Sequence, residues 1–420
     1  MGKKLFYGWI IVVATVLLNA MGSGVVSTLA VFLSPLSKAN GYTQAQVSAI
    51  VSLYSIGMLV GSILLSKFVG KSDLRKLVLV FGVLEGIFIL GMGLVNSLSM
   101  LYVFGLLIGL VAVAISALPV PILITNWFIV KKGTALGIAT AGIGLGSAVF
   151  APILSLIIDN SGYKTAFMVY GIIVIALAVI SAIIIRTHPE EKQLKPYGLN
   201  EGDPKVQDSQ STNINESQAG MTVKEAIKTP AYWFVVLFVA GYVIPQVSVF
   251  LQTPSYLKTI GYTGAKLSMF ISAFGICSMI GKVVVGYILD KAGLLKGGLI
   301  ALVMAVVAVG SLILMKSIPS VSILYMVLAG GGLMMSTIAM PMYVSKFFGT
   351  KHYSTIFSSF MILTTIVSVI GSIVSGVIID KSGFAALYIF DIIFMFVGAL
   401  GSILALKTKK ADSVNRSAEM

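Results

Sequence analysis

Three ionisable residues stand inside long apolar stretches of the sequence: Glu85, Lys282 and Asp391. A charge inside a membrane is costly, so each is by default a functional-site hypothesis. Lys282 offers a cationic anchor for a substrate carboxylate, because a low dielectric strengthens an ion pair that water would weaken. It also lies eight residues before Asp290, roughly 12 Å along a helix, so its stem reaches a helix end by snorkelling. Both readings of Lys282 stand. Glu85 and Asp391 are candidates for proton coupling, with a structural role in interhelical hydrogen bonding as the alternative.

The chemistry that is missing narrows the function. No nucleophile–base pair stands within the apolar stretches, as an enzyme would need. No Gly-x-x-x-x-Gly-Lys-Ser/Thr loop occurs, which argues against a nucleotide-driven pump. Cys277 is the single cysteine, so an intrachain disulfide and a cysteine metal cluster are ruled out. His188 and His352 lie near predicted helix ends in polar sequence, so no multi-histidine metal site is expected. The reading is a non-enzyme with no cofactor.

The elements that must position these residues are membrane helices. Of 420 residues, 57% are hydrophobic and 10% charged, against about 25% charged in a soluble domain. The surface must therefore face lipid. At about 20 apolar residues per crossing, the runs give twelve spans, near 6–33, 45–67, 77–97, 100–128, 133–158, 164–186, 231–257, 264–290, 294–316, 321–348, 353–380 and 384–407. The first run is too long for the core of a signal peptide and reads as a membrane helix. Residues 187–230 form the one long hydrophilic stretch, rich in Pro, Gly, Asn and Ser, which reads as a flexible linker. Within it, Thr222 and Glu225 have capping-box spacing for a short interfacial helix.

The formal charge of +14 would suggest nucleic acid in a soluble protein. With both termini placed in the cytoplasm, 22 of the 29 Lys and Arg fall on inside segments and six outside. That bias sets orientation, so the charge reads as topology and nucleic-acid binding drops out.

The two halves repeat. Ile157-Ile-Asp-Asn-Ser-Gly-Tyr163 recurs as Ile378-Ile-Asp-Lys-Ser-Gly-Phe384, an offset of 221 residues. Six spans per half at this offset mean a parallel duplication, which puts a substrate site between the halves. The expected division is 1–187 for a first six-helix bundle and 188–230 for a cytoplasmic linker. A second bundle at 231–408 and a tail at 409–420 complete it.

These features resemble the major facilitator superfamily. Gly286-Tyr-Ile-Leu-Asp290-Lys291-Ala-Gly293 is similar to its loop motif Gly-x-x-x-Asp-Arg/Lys-x-Gly, which implies a conformational latch at Gly286, Asp290, Lys291 and Gly293. The first-half copy departs, with Ser66 where the Asp would stand. Gly8-Trp9, Asn126-Trp-Phe-x-x-Lys-Lys-Gly133-Thr-Ala-Leu-Gly137 and Thr229-Pro-Ala-Tyr-Trp233 resemble the monocarboxylate transporter-like branch, which includes the oxalate/formate antiporters.

The resemblance implies an all-α, twelve-helix membrane fold of two six-helix bundles related by a pseudo-twofold. It implies a monomeric secondary transporter in the plasma membrane. Protons or a counter-anion would drive it. Lys282 takes the place of that branch's buried Arg, and Ser278 stands where the branch often has an acidic partner. Ser27 and Thr28 occupy the zone of a lysine in eukaryotic relatives, and Thr364 lies near a second cation of oxalate transporters. Ser116, Gln246 and Thr337 are further polar groups on the spans that line a central cavity in this superfamily. Glu85 and Asp391 fall on its peripheral helices. With one central cation, a monocarboxylate is balanced and a dianion such as oxalate is not. The competing expectation is an efflux transporter for a larger amphipathic compound, using a cavity rich in Met and aromatics.

Overall fold

A computed structural model describes residues 6–22, 24–69, 72–199, 221–262 and 264–418. Some helical side chains, those of Ser27, Thr28, Ser66, Lys67 and Phe68 among them, lie outside that description. The described chain is almost entirely helical.

Eight stretches are long and apolar enough to cross a membrane. Three of the helices are too long for one crossing: Lys132–Ile184, Gly264–Leu314 and Tyr353–Ala418 hold 53, 51 and 66 residues. At 1.5 Å per residue even 53 residues run about 80 Å, against about 30 Å of hydrocarbon. Each is broken at one glycine: Gly162 (φ 82°, ψ 163°), Gly293 (φ 75°, ψ 169°) and Gly383 (φ 79°, ψ 179°). Residues with a side chain avoid that region, so glycine joins two passes there without a polar loop. Tyr7–Gly22 and Gly24–Asn40 make the first pass, which brings the described residues to twelve crossings. Its second helix runs past the predicted end of the first span, to Asn40.

The fourth and tenth passes are interrupted at matching places. The fourth comprises Leu98–Ala112, a π-helical turn at Val113–Ala117, and Pro119–Trp127. Pro119 and Pro121 lack an N–H, and a proline ring crowds the carbonyl four residues back. The wider turn takes up that strain, and Leu118 N–H donates to Val113 O at 3.2 Å. The tenth comprises Val321–Gly332 and Met335–Phe348, joined through Leu333 and Met334 after three glycines. An offset of 221 carries Val113 onto Met334, so the two breaks are equivalent in the duplication.

The chain separates into two units, residues 1–129 with 138–203, and residues 130–137 with 204–420. In the first, Phe32 stacks on Phe167 at 3.8 Å within the core. In the second, Phe238 packs on Tyr343 at 4.8 Å and Tyr242 at 5.2 Å.

The polar stretch after the sixth pass starts as ordered chain rather than as loose linker. Pro189–Lys192 forms a 3-10 turn. Tyr197 N–H donates to Trp127 O at 2.8 Å, and Ile129 N–H donates to Tyr197 O at 3.1 Å. Residues 200–220 lie outside the description. The short helix Val223–Lys228 follows with its capping box: Thr222 N–H donates to Glu225 Oε2 at 2.7 Å, and Glu225 N–H donates to Thr222 Oγ1 at 3.4 Å.

Candidate functional site

Lys282 sits on the Gly264–Leu314 helix and is 7% exposed. Its neighbour Gly281 explains the burial. A Cβ on Gly281 would come within 2.4 Å of the Gly330 and Gly331 backbone, so the two helices touch main chain to main chain. Such approach needs small residues. On the other side a Cβ on Gly137 would meet Lys282 O at 2.5 Å. Ser278 lies one turn before Lys282, on the same face. It is 6% exposed, and its Oγ has no hydrogen-bond partner. A buried lysine and a buried, unsatisfied hydroxyl one turn apart on a helix are an arrangement suited to a small anion. A hydroxyl left without a partner there costs about 1–3 kcal/mol.

The remaining polar residues named from sequence divide by whether their side chains are already engaged. Gln246 Nε2 donates to Met334 Sδ at 3.2 Å, and Ser336 Oγ donates to Gln246 Oε1 at 3.0 Å. Gln246 thus braces the break of the tenth pass. Thr364 Oγ1 donates to Phe360 O at 2.7 Å and lies 3.8 Å from Met340 Sδ. Ser116 Oγ donates to Ala112 O at 3.2 Å, back across the π-helical turn. Such back-bonding is the ordinary structural role of a hydroxyl in a membrane helix. Thr337 is half-buried on the Met335–Phe348 helix. The side chains of Ser27 and Thr28 lie outside the described ones.

The two carboxyls are both fully buried. Neither oxygen of Glu85 has a hydrogen-bond partner. Asp391 Oδ2 accepts from Ser248 Oγ at 2.8 Å, while Oδ1 has none. Ser248 is a partner of Asp391 that sequence reasoning misses, since a lone serine in a membrane helix carries no signal of what it meets.

Asp290 caps a helix. Gly133 N–H donates to its Oδ1, and Thr134 N–H and Oγ1 donate to its Oδ2, each at 2.6 Å. These are first-turn donors of the Lys132–Ile184 helix that no carbonyl of the helix itself can satisfy, where the helix dipole favours an anion. Gly286 makes the approach feasible, since a Cβ there would lie 2.2 Å from Gly133 O. Lys291 Nζ sits 5.8 Å from the Tyr287 ring centroid, and Gly293 is the break described above. The side chains of the first-half copy, Ser66, Lys67 and Phe68, are outside the described ones. Among the described residues no group of three His, Cys, Asp or Glu side chains is arranged to hold a metal.

The family model of the Major Facilitator Superfamily matches residues 12–372. The chain belongs to that superfamily.

It is 24% identical to the MFS-type transporter YhjX of Escherichia coli K12 over 365 residues, 84% of each chain. It is 26% identical to the oxalate:formate antiporter of Oxalobacter formigenes, covering 69% of this chain and 65% of the relative. It is 25% identical to monocarboxylate transporter 13 of Bos taurus, covering 68% of this chain and 62% of the relative. This chain therefore spans less than two thirds of the length of those last two proteins. Among solved structures, the superfamily transporter FucP in its outward conformation aligns with TM-score 0.69 and 16% identity, covering 96% of this chain and 99% of that one. The superfamily's members are transporters, so this chain is a multi-pass membrane transporter and not an enzyme. The Asp290 cap sits on the segment that resembles the superfamily loop motif.

Proposed function

We propose that this transporter moves a small monocarboxylate by alternating access, with Lys282 holding the carboxylate and Ser278 donating to it. The observation that carries the reading is the burial of Lys282 beside the unsatisfied Ser278 hydroxyl. The names of the bovine and Oxalobacter relatives point the same way. One ammonium balances one carboxylate, which favours formate, acetate or lactate over oxalate. The same proposal includes a first bundle at 1–187 and a second at 231–408, rocking as a monomer in the plasma membrane with both termini cytoplasmic. Its coupling is to protons or a counter-anion, and the 286–293 segment serves as latch. The matched breaks of the fourth and tenth passes suit helices that bend during such a cycle.

The test is uptake into proteoliposomes across formate, acetate, lactate, pyruvate and oxalate, with and without a pH gradient. Lys282→Ala removes the charge that balances the substrate. A buried pair broken in this way loses about 3–5 kcal/mol, more than a hundredfold in affinity. Lys282→Arg keeps the charge but changes a point donor into a planar fork, so it retains uptake with altered selectivity. A second reading, export of a larger amphipathic compound, is favoured by the methionine sulfurs beside Gln246 and Thr364. Export that persists in Lys282→Ala and is competed by hydrophobic compounds would establish it instead.

A further inference from the structure

Three passes of the second unit leave a space between them at one end. The seventh pass ends at Thr259, Lys316 follows the Gly264–Leu314 helix by two residues, and Phe384 follows the break at Gly383. Among these ends lies a cavity of about 290 Å³, walled by the rings of Tyr256, Phe384 and Tyr388, with Thr259 and Lys316 beside them. The rings pack on one another. Tyr256 lies 5.3 Å from Phe384 and 5.4 Å from Tyr388 between centroids, and Phe384 lies 6.4 Å from Tyr388. Lys282 is not among the residues that line the cavity.

The fold does not require such a space. At the offset of 221, Phe384, Ala385 and Tyr388 correspond to Tyr163, Lys164 and Phe167 of the first unit. There Phe32 stacks on the fully buried Phe167 at 3.8 Å, and the Tyr163 hydroxyl accepts from Asn40 Nδ2 at 3.0 Å. Protein groups therefore cover those rings. In the second unit Phe384 is only half-buried, and the exposed Ala385 offers a methyl group where the first unit has a long lysine.

Most polar groups at the cavity are already engaged. Tyr256 Oη donates to Leu312 O and Thr259 Oγ1 donates to Tyr256 O, each at 2.7 Å. The Tyr388 hydroxyl is buried, so that residue gives the cavity its ring. Among the described residues the Lys316 ammonium has no ion-pair partner. What the cavity presents is aromatic surface beside one cation. A ligand ring packs on such a wall offset or edge-on, while Lys316 repels a cation and favours an acid group. At about 30 Å³ per water the volume holds about ten water-sized groups, the size of one ring with its acid.

We propose that this cavity is a second ligand site, which takes a single-ring aromatic carboxylate. The ligand's ring lies against Tyr256, Phe384 and Tyr388, and its carboxylate meets Lys316. An occupant joins the end of the seventh pass to the start of the twelfth, and so slows a cycle in which those ends part.

The test uses the full-length protein in phosphatidylcholine nanodiscs, with radiolabelled phenylacetate as probe. Saturable binding is expected, and phenethylamine, which carries the same ring with the opposite charge, does not compete. Lys316→Gln weakens binding roughly tenfold through loss of one charge-assisted hydrogen bond, and Lys316→Arg retains it. Ala385→Leu fills the cavity from an exposed position and abolishes binding. Lys282→Ala leaves it in place; should that variant not fold, the Lys316 and Ala385 variants decide alone. Absence of binding, or binding unchanged in Lys316→Gln and Ala385→Leu, overturns the proposal. Binding present in detergent and lost in nanodiscs assigns the cavity to a lipid chain and overturns it as well.

The slowing of transport rests on the monocarboxylate reading, whereas the binding measurement needs no transport. With formate uptake as readout, phenylacetate should lower the maximal rate and leave the formate concentration for half-maximal uptake unchanged. Ala385→Leu should abolish that inhibition. Inhibition that formate overcomes would place phenylacetate at Lys282 and overturn the proposed effect on the cycle. If the wild type moves no formate while phenylacetate binds as described, the substrate reading fails and the second site stands.

Discussion

Asp290 Oδ2 accepts from both the backbone N–H and the hydroxyl of Thr134, each at 2.6 Å, while Oδ1 takes the N–H of Gly133. One carboxylate thus satisfies three donors at the start of the Lys132–Ile184 helix. Hydrogen bonds to a charged group contribute about 1.5–3 kcal/mol. Asp290→Asn removes the charge and turns an amide donor toward one of these N–H groups. It should therefore lower the melting temperature of the purified transporter clearly more than Thr134→Val, which deletes one donor of three. Equal melting shifts in the two variants would mean that the charge contributes nothing beyond one hydrogen bond.

The glycines at the helix breaks and those at helix contacts should respond to alanine for different reasons. Gly383 has open space where a Cβ would go, but its φ of 79° and ψ of 179° are closed to other residues. Gly383→Ala should cost about 1–3 kcal/mol through backbone strain alone and still yield folded protein. Gly281→Ala would drive a Cβ to 2.4 Å from the Gly330 and Gly331 backbone, where no side chain can move aside. That variant should lose folded protein outright. Size-exclusion profiles and melting curves in detergent separate the two outcomes.

These positions also mark how far the sequence can be read. Apolar runs and the charge bias are properties of composition, so twelve spans can be placed from the residues alone. The joints Asp159-Asn-Ser-Gly162, Asp290-Lys-Ala-Gly293 and Asp380-Lys-Ser-Gly383 share one pattern, and all three glycines carry the same backbone conformation. That conformation is legible because only glycine adopts it. Lys282, Glu85 and Asp391 are visible as isolated charges in apolar sequence. Their partners are not. Ser248 meets Asp391 across 143 residues and Thr134 meets Asp290 across 156, and no local spacing encodes such pairs. The ordered turn at Pro189–Lys192 is hidden for another reason. Its composition is that of a linker, yet it closes on itself: His188 N–H donates to Glu191 Oε1 at 2.9 Å and Leu194 N–H donates to Pro189 O at 3.1 Å.

The capping box ahead of Val223–Lys228 gives a dependence on pH. The Thr222 backbone N–H bonded to the Glu225 carboxylate, helped by the Thr222 hydroxyl, holds its pKa below the usual value. A carboxylate depressed in the folded state adds stability above its unfolded pKa of about 4.3, and that stability is lost as pH falls through the lower folded value. Amides of 223–228 should thus exchange with solvent faster, relative to the unfolded peptide, in acid than at neutral pH. Thr222→Ala should raise exchange at neutral pH and flatten the dependence. Protection that is unchanged on acidification would show that the helix is held by its docking alone.

Ser278→Ala tests whether the site beside Lys282 is built for a ligand or for packing. In the structure the Ser278 hydroxyl is buried and has no hydrogen-bond partner, a state that costs about 1–3 kcal/mol. If the hydroxyl served the fold, it would be engaged as those of Ser116 and Thr364 are, and alanine there would destabilise. An unsatisfied hydroxyl predicts the reverse. Ser278→Ala should melt at an equal or higher temperature without substrate, because the variant buries no orphaned group. The same variant should bind formate or lactate more weakly, by the roughly tenfold that one hydrogen bond of about 1.5 kcal/mol represents. Parallel melting curves with and without added carboxylate read both effects in one experiment. A Ser278→Ala protein that melts lower but gains the wild-type stabilisation from carboxylate would assign the hydroxyl to the fold and remove it from the site.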